Sequence, residues 1–244
     1  MPAPAARTKK ISRKPARPKR RWRYLLFVLC GFVFAFYATV VFTLVILRWV
    51  NPPTTAVQIE RRIQSWSGGG PSTQSSYRKR YAFVPLNQIS SNFQHAVIAA
   101  EDARFYQHHG FDWRQVEIAA TEDIQGKRFR GGSTIDQQLV KNLFLTTSRS
   151  FVRKGVEATI VPFAEMILGK KRILELYLNV VEWGPGVYGA QAAAEFHYRV
   201  PAARVTRDHG ARLAALLPAP RRRKPAAMSA YAARIEERMR QMGW

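Results

Sequence analysis

The sequence predicts a mainly α-helical protein: one N-terminal transmembrane helix followed by one all-helical domain. Three observations carry that prediction. The run from Leu25 to Leu47 contains no charged residue, which meets the roughly 20 apolar residues a helix needs to cross a bilayer. From Val84 onward apolar residues recur three and four apart, and residues that start and stop helices stand at the ends of those segments. Alternating runs that would mark strands are few, so a parallel nucleotide-binding sheet has no support.

The elements follow in order. Residues 1–23 form a basic tail and 24–50 the membrane helix, with Trp22, Tyr24 and Trp49 at its ends as interfacial aromatics. The tail carries ten Lys and Arg from Arg7 to Arg23, whereas only Arg48 precedes Glu60 on the other side. This bias sets the N-terminus in the cytoplasm and the domain outside. A cleaved signal peptide is the competing reading, but the apolar run exceeds the usual h-region and no clear A-x-A site follows it. Residues 51–83 read as a flexible linker, because Asn51-Pro52-Pro53 ends the helix and the stretch Ser65 to Ser76 contains Gly68-Gly69-Gly70-Pro71. Residues 84–220 form the domain, and 221–244 a basic loop with a C-terminal helix.

Within the domain, a helix is expected from Phe93 to His109, entered through Ser90-Ser91-Asn92 and stopped by Gly110. A second begins at Gly131-Gly132-Ser133, where Ser133 and Asp136 have capping-box spacing. Others are expected at about 149–168, 170–181, 188–197, 208–217 and 228–240, with Pro162 interrupting or kinking the first.

The formal charge of +23 would by itself suggest nucleic acid. Residues 1–50 hold 11 of the 39 Lys and Arg and none of the 16 acidic residues, which leaves a balance of +12 beyond the anchor. The charge therefore splits in two, and its place along the chain has to be read before its sign. The single cysteine, Cys30, lies inside the apolar run, so the domain forms no internal disulfide.

Three segments could carry chemistry. On a continuous helix, Val97, Glu101 and Phe105 would stack on one face, which puts a carboxylate in an apolar stripe where burial raises its pKa toward a useful general base. The plainer reading is a solvated Glu paired with Arg104. Thr134, Gln137 and Lys141 share a face just after a Gly-Gly turn, a fit for phosphate, or else simple capping with solvent-facing side chains. Arg149, Arg153 and Glu157, spaced by four, form either a surface ion pair or a charged wall able to hold pyrophosphate.

Taken together, these residues and their order resemble the peptidoglycan glycosyltransferases of glycosyltransferase family 51. E-D-x-x-F-x-x-H-x-G is met by Glu101, Asp102, Phe105, His108 and Gly110. G-x-S-T-x-x-Q-Q-x-x-K-N is met by Gly131, Ser133, Thr134, Gln137, Gln138, Lys141 and Asn142. R-K-x-x-E is met by Arg153, Lys154 and Glu157, and K-x-x-I-L-E-x-Y-L-N by Lys170 through Asn179. The departures are His197-Tyr198 in place of an aromatic pair, Val200 in place of a basic residue, and His209-Gly210 in place of a Glu-containing helix start.

The resemblance, which is to the monofunctional biosynthetic type, implies a lysozyme-like fold and polymerisation of lipid II onto a growing glycan chain on undecaprenyl pyrophosphate. It implies Glu101 as base, with Glu157 positioning or tuning the site. It implies Asp102, Phe105, His108, Ser133, Thr134, Gln137, Gln138, Lys141, Asn142, Arg149, Arg153 and Lys154 as substrate-binding residues. No tightly bound cofactor is expected. A divalent ion, Mg or Mn, would draw on Asp102, but no metal-ligand spacing supports a tight site. Membrane lipids and cell-wall synthesis or division proteins are the expected partners, nucleic acid is not, and the expected location is the inner membrane with a periplasmic domain. Apolar residues around Phe129, Leu143, Phe144, Leu145 and Phe151 could dip into the lipid or form core, and Arg221-Arg222-Arg223-Lys224 reads as a solvated or lipid-facing run.

Overall fold

A computed structural model describes residues 21–67, 77–124, 132–148 and 150–244. The chain divides into two compact units, residues 1–39 and 40–244. Helix α1 (Arg21–Leu47) runs across the division, and its segment Trp22–Leu47 is the one helix among the described residues long and apolar enough to cross a membrane. In the second unit its last turns are packed: Val40, Leu44 and Leu47 are buried. Arg172 donates to the carbonyls of Leu47 (2.8 Å) and Val50 (3.0 Å) and so ties down the chain where it leaves the helix.

The segment expected to be a flexible linker contains ordered structure. Helix α2 (Ala56–Trp66) begins at Thr55, whose hydroxyl accepts from the Gln58 N–H, and buries Val57 and Gln58. Glu60 accepts from both the N–H and the hydroxyl of Thr147, at 2.7 Å each, so two turns of a polar-looking helix are held by long-range contacts. The triple glycine lies outside the described residues. Strand β1 (Arg80–Tyr81) follows and joins β2 (Glu182–Gly184) and β3 (Val187–Tyr188) in the order β1-β3-β2, with β1 parallel and β2 antiparallel to β3.

Helix α3 (Ser91–Glu101) is capped by Ser90, which accepts from the Phe93 N–H and donates to the Val205 carbonyl at 2.6 Å. It stops eight residues before the expected end at His109. Asp102 leaves helical geometry (φ −157°, ψ 72°) because its carboxylate is drawn inward to accept from the Ile135 N–H and the His108 ring. Phe105, on a short 3-10 turn, is therefore not stacked beneath Glu101. Gly110, at φ +81°, faces Val161 so closely that a Cβ would sit 2.6 Å from Cγ1.

Helix α4 (Trp113–Ile124) went unpredicted. Helix α5 (Ile135–Phe144) carries a complete capping box, but its members are Thr134 and Gln137 rather than Ser133 and Asp136. Helix α6 (Phe151–Val180) runs through Pro162, and its non-helical residue is Gly169, at φ 69° and ψ 162°. The break expected between the helices at 149–168 and 170–181 thus falls at Gly169, which adopts that backbone freely, whereas the helix runs on through Pro162. Helices α7 (Ala190–Tyr198), α8 (Arg207–Ala214) and α9 (Ser229–Gln241) complete the fold close to their expected positions.

Helix α5 packs on α6, and α8 packs on both α3 and α9. Phe93, Ile98, Leu139, Ile160, Leu174, Tyr177, Trp183 and Tyr188 form the centre of the core. Burying this many large apolar side chains, at about 1.5–3 kcal/mol each, supports a domain that has no disulfide. Motif residues serve the same end. Asn179 exchanges two 2.9 Å hydrogen bonds with the Val84 backbone, and Glu175 accepts from the Leu86 N–H at 2.7 Å. The departures also pack: Tyr198 stacks on His209 at 3.9 Å, His197 donates to the Trp183 carbonyl, and Gly210 admits the Asn92 carbonyl at 3.1 Å from where a Cβ would stand.

Candidate active site

One cleft of about 640 Å³ gathers the end of α3, the start of α5, the first turns of α6, the Leu217-Pro218 turn and one face of α9. Glu101, the last residue of α3, faces into it. Its Oε2 accepts from the Gln138 amide at 2.8 Å, and the Gln138 oxygen accepts from the Tyr177 hydroxyl at 2.8 Å. Burial raises the Glu101 pKa, against the opposing pull of the Gln138 hydrogen bond and the Lys141 charge. A carboxylate held in this way can accept a proton from a bound hydroxyl.

The facing wall is cationic. Lys141, from α5, has its pKa lowered by burial, with Glu157 and Glu101 opposing. On α6, the buried Glu157 accepts from Arg153 and Lys154 at 2.5 Å each, and Lys154 also donates to the Ser133 hydroxyl at 3.2 Å. Arg153 is further fixed by the Ser148 carbonyl at 2.7 Å. Glu157 thus organises two cations without facing the cleft as a free base. Such a wall suits a group that gains negative charge during reaction.

The residues expected to bind substrate divide into two sets. Asp102, Ser133, Thr134, Gln137, Gln138, Lys141, Arg153 and Lys154 line the cleft together with Glu101 and Glu157. Phe105, His108 and Asn142 do not. Phe105 is fully buried with Lys170 over its ring at 4.5 Å, His108 donates to Asp102 at 3.0 Å, and Asn142 donates to the Gln138 carbonyl at 2.8 Å. Their part is to hold Asp102, α5 and Gln138 in place. Thr134 is tied to the Gly110 carbonyl at 2.7 Å and joins the first two motifs directly. Arg149 and Gly131 lie outside the described residues, as does Phe129. Tyr177, absent from the predicted site, completes the relay to Glu101, and the tyrosine of the fourth motif was the signal that could have placed it there.

Asp102, His108 and Asp136 bring three ligand-type atoms within 4.8 Å of one another. The donors nonetheless fit a divalent ion poorly. Lys170 already sits 3.1 Å from both Asp136 oxygens and 3.1 Å from Glu165, while the His108 Nε2 and the Ile135 N–H occupy the Asp102 carboxylate. That cluster is a buried ion network that locks α5 to α6.

Similarity to known proteins agrees with this geometry. The Transglycosylase family model matches residues 69–242. A biosynthetic peptidoglycan transglycosylase of Pseudomonas syringae pv. syringae is 43% identical over 213 residues, 85% of this chain and 88% of the relative. The protein of that name from Pseudomonas putida is 42% identical over 224 residues, covering 90% and 92%. The one from Chromohalobacter salexigens is 43% identical over 230 residues, covering 92% and 94%. Similarity of this extent, over the whole cleft and the helices that build it, means that the chain belongs to the transglycosylase family.

Proposed function

We propose that the protein polymerises lipid II into β-1,4-linked glycan strands with inversion at the anomeric carbon, releasing undecaprenyl pyrophosphate. As a member of its family it is a peptidoglycan glycosyltransferase. The observation that supports the finer reading is the juxtaposition, in one cleft, of a base-competent Glu101 and a cationic wall organised on Glu157.

Glu101 takes the proton from the acceptor 4-hydroxyl as that oxygen attacks C1 of the growing chain. The C1–O bond to pyrophosphate breaks, and its electron pair leaves with the phosphate. A pyrophosphate leaving group needs charge compensation more than a proton, so Lys141, Arg153 and Lys154 do the work that a second acid does in glycoside hydrolysis. Glu157 holds two of those cations in register.

The basic N-terminal tail supports a cytoplasmic N-terminus and a periplasmic domain. Phe151 and Val152, exposed in the first turn of α6, support contact with the membrane lipid in which both substrates are anchored. Leu143 is buried instead, and Phe144 and Leu145 are half-buried.

The test is polymerisation of labelled lipid II by the full-length protein in detergent or bilayers. Parent protein makes long glycan, and Glu101→Gln slows it by about 10²–10⁴-fold. Equal rates for parent and variant would remove Glu101 from the role of base. Shortening of preformed glycan without polymer formation would point to a lytic enzyme.

A further inference from the structure

The basic run and α9 were not expected to approach the site. Arg223 donates to the Ala215 carbonyl at 2.7 Å, and Arg238 donates to the Ala99 carbonyl at 2.7 Å, on the turn of α3 that carries Glu101. Tyr231, Arg234 and Arg238 lie together on one side of α9, flanking its buried residues Ala232, Ile235 and Met239. The guanidinium carbons of Arg223 and Arg234 lie 5.6 Å and 5.3 Å from the Tyr231 ring centroid. Tyr231 and Arg238 line the same cleft as Glu101.

Unlike several cations of the same region, these three arginines have no ion-pair partner among the described residues. Glu157 takes Arg153 and Lys154, Asp208 takes Arg212, and Glu237 takes Arg240. Among the described residues, no carboxylate lies within ion-pair distance of Arg223, Arg234 or Arg238. The two that make hydrogen bonds to the chain spend one N–H each on a neutral carbonyl, out of five per guanidinium. Two like charges on one aromatic ring, with a third on the same side of the helix, repel one another, and an oxyanion among them would relieve that repulsion and take up the remaining donors.

We propose that Arg223 and Arg234, at the Tyr231 ring, and Arg238, which lines the cleft with Tyr231, form a binding site for an anionic group of the acceptor lipid II. This rests on the glycosyltransferase reading above. That reading gives the donor pyrophosphate to the wall of Lys141, Arg153 and Lys154. The acceptor must present its hydroxyl to Glu101, and the α9 wall is built onto the helix that bears Glu101. The acceptor carries two oxyanion sources, its own pyrophosphate and the carboxylates of its stem peptide.

The experiment uses full-length protein, a lipid-linked tetrasaccharide as donor and labelled lipid II as acceptor, with each varied in turn. Arg234→Met and Arg238→Met raise the acceptor KM by about tenfold or more, the loss expected for a charge-assisted hydrogen bond, and leave the donor KM in place. Arg→Lys at either position recovers most of the loss. With a peptide-free acceptor, persistence of the effect assigns the pyrophosphate, and its disappearance assigns a peptide carboxylate. Arg234 holds no backbone carbonyl, so its variant reads out the site even if Arg238→Met fails to fold. An unchanged acceptor KM in Arg234→Met, or a rise confined to the donor, overturns the proposal. Failure of the parent to make polymer would instead overturn the reading beneath it.

Discussion

Replacing Gln138 with Leu isolates what controls the charge on Glu101. The side chains are close in size, but Leu removes the N–H that sits 2.8 Å from Oε2. That hydrogen bond favours the ionised carboxylate and opposes the burial that raises its pKa. A hydrogen bond to a charged group is worth about 1.5–3 kcal/mol, and one pKa unit is about 1.4 kcal/mol, so complete loss would raise the pKa by about one to two units. The cleft is open to water and Lys141 still acts on Glu101, so the lower end, about one unit, is expected. A base works only when deprotonated, so the acid limb of kcat/KM for lipid II polymerisation moves to higher pH while the plateau above it is largely kept. Gln138 also satisfies the buried Tyr177 hydroxyl, so Tyr177→Phe in the Gln138→Leu background should recover melting temperature without moving the acid limb back. An acid limb that stays in place, or moves to lower pH, would refute the reasoning.

Two further changes test the frame. Lys170→Met leaves Asp136 and Glu165 facing each other without their cation. Burial and the neighbouring Glu165 already push Asp136 up to about 8; loss of Lys170 raises it further and removes a charge that holds Glu165 below its ordinary value. Denaturant unfolding should show a loss approaching about 3–5 kcal/mol at alkaline pH, shrinking on acidification as protons replace the cation; a loss independent of pH would count against this account. Gly189→Ala puts a Cβ 2.6 Å from the Asn179 carbonyl oxygen at φ +87°. Neither the backbone it strikes nor the dihedral can yield cheaply, so the variant should lose at least about 2 kcal/mol in thermal or denaturant unfolding, and stability equal to the parent would contradict the close approach.

How much of this was legible follows from the range of each determinant. Helices α5 to α9 were readable because their signals are local: a cap, an apolar period, a glycine. The early end of α3 was not, because it depends on the Asp102 carboxylate finding the Ile135 N–H thirty-three residues away. Helix α2 stayed hidden for a related reason. Its polar residues Glu60 and Arg61 look solvated in sequence, yet they are spent on Thr147 and Glu182. Strands of two or three residues show no period at all, and the small sheet is set by backbone contacts such as Arg80 N–H to the Gly186 carbonyl.

The site divides along the same line. Motif residues gave its inventory, but an inventory does not separate a side chain that touches substrate from one that holds such a side chain. Glu157 and His108 are both buried polar motif residues. Glu157 holds the cations that face the cleft, whereas His108 holds Asp102, whose other bond fixes the start of α5. The distinction lies in which partner each carboxylate or ring finds, and that is decided by packing. The same logic explains why α9 was read as a peripheral helix. Its apolar stripe predicts docking, but only the docked position brings Arg238 to the Ala99 carbonyl and Tyr231 to the cleft. A motif reading ranks residues by resemblance. The arginines beside Tyr231 are ranked instead by the lack of an ion-pair partner among the described residues once the chain has folded, and in our proposal they mark the side from which the acceptor arrives.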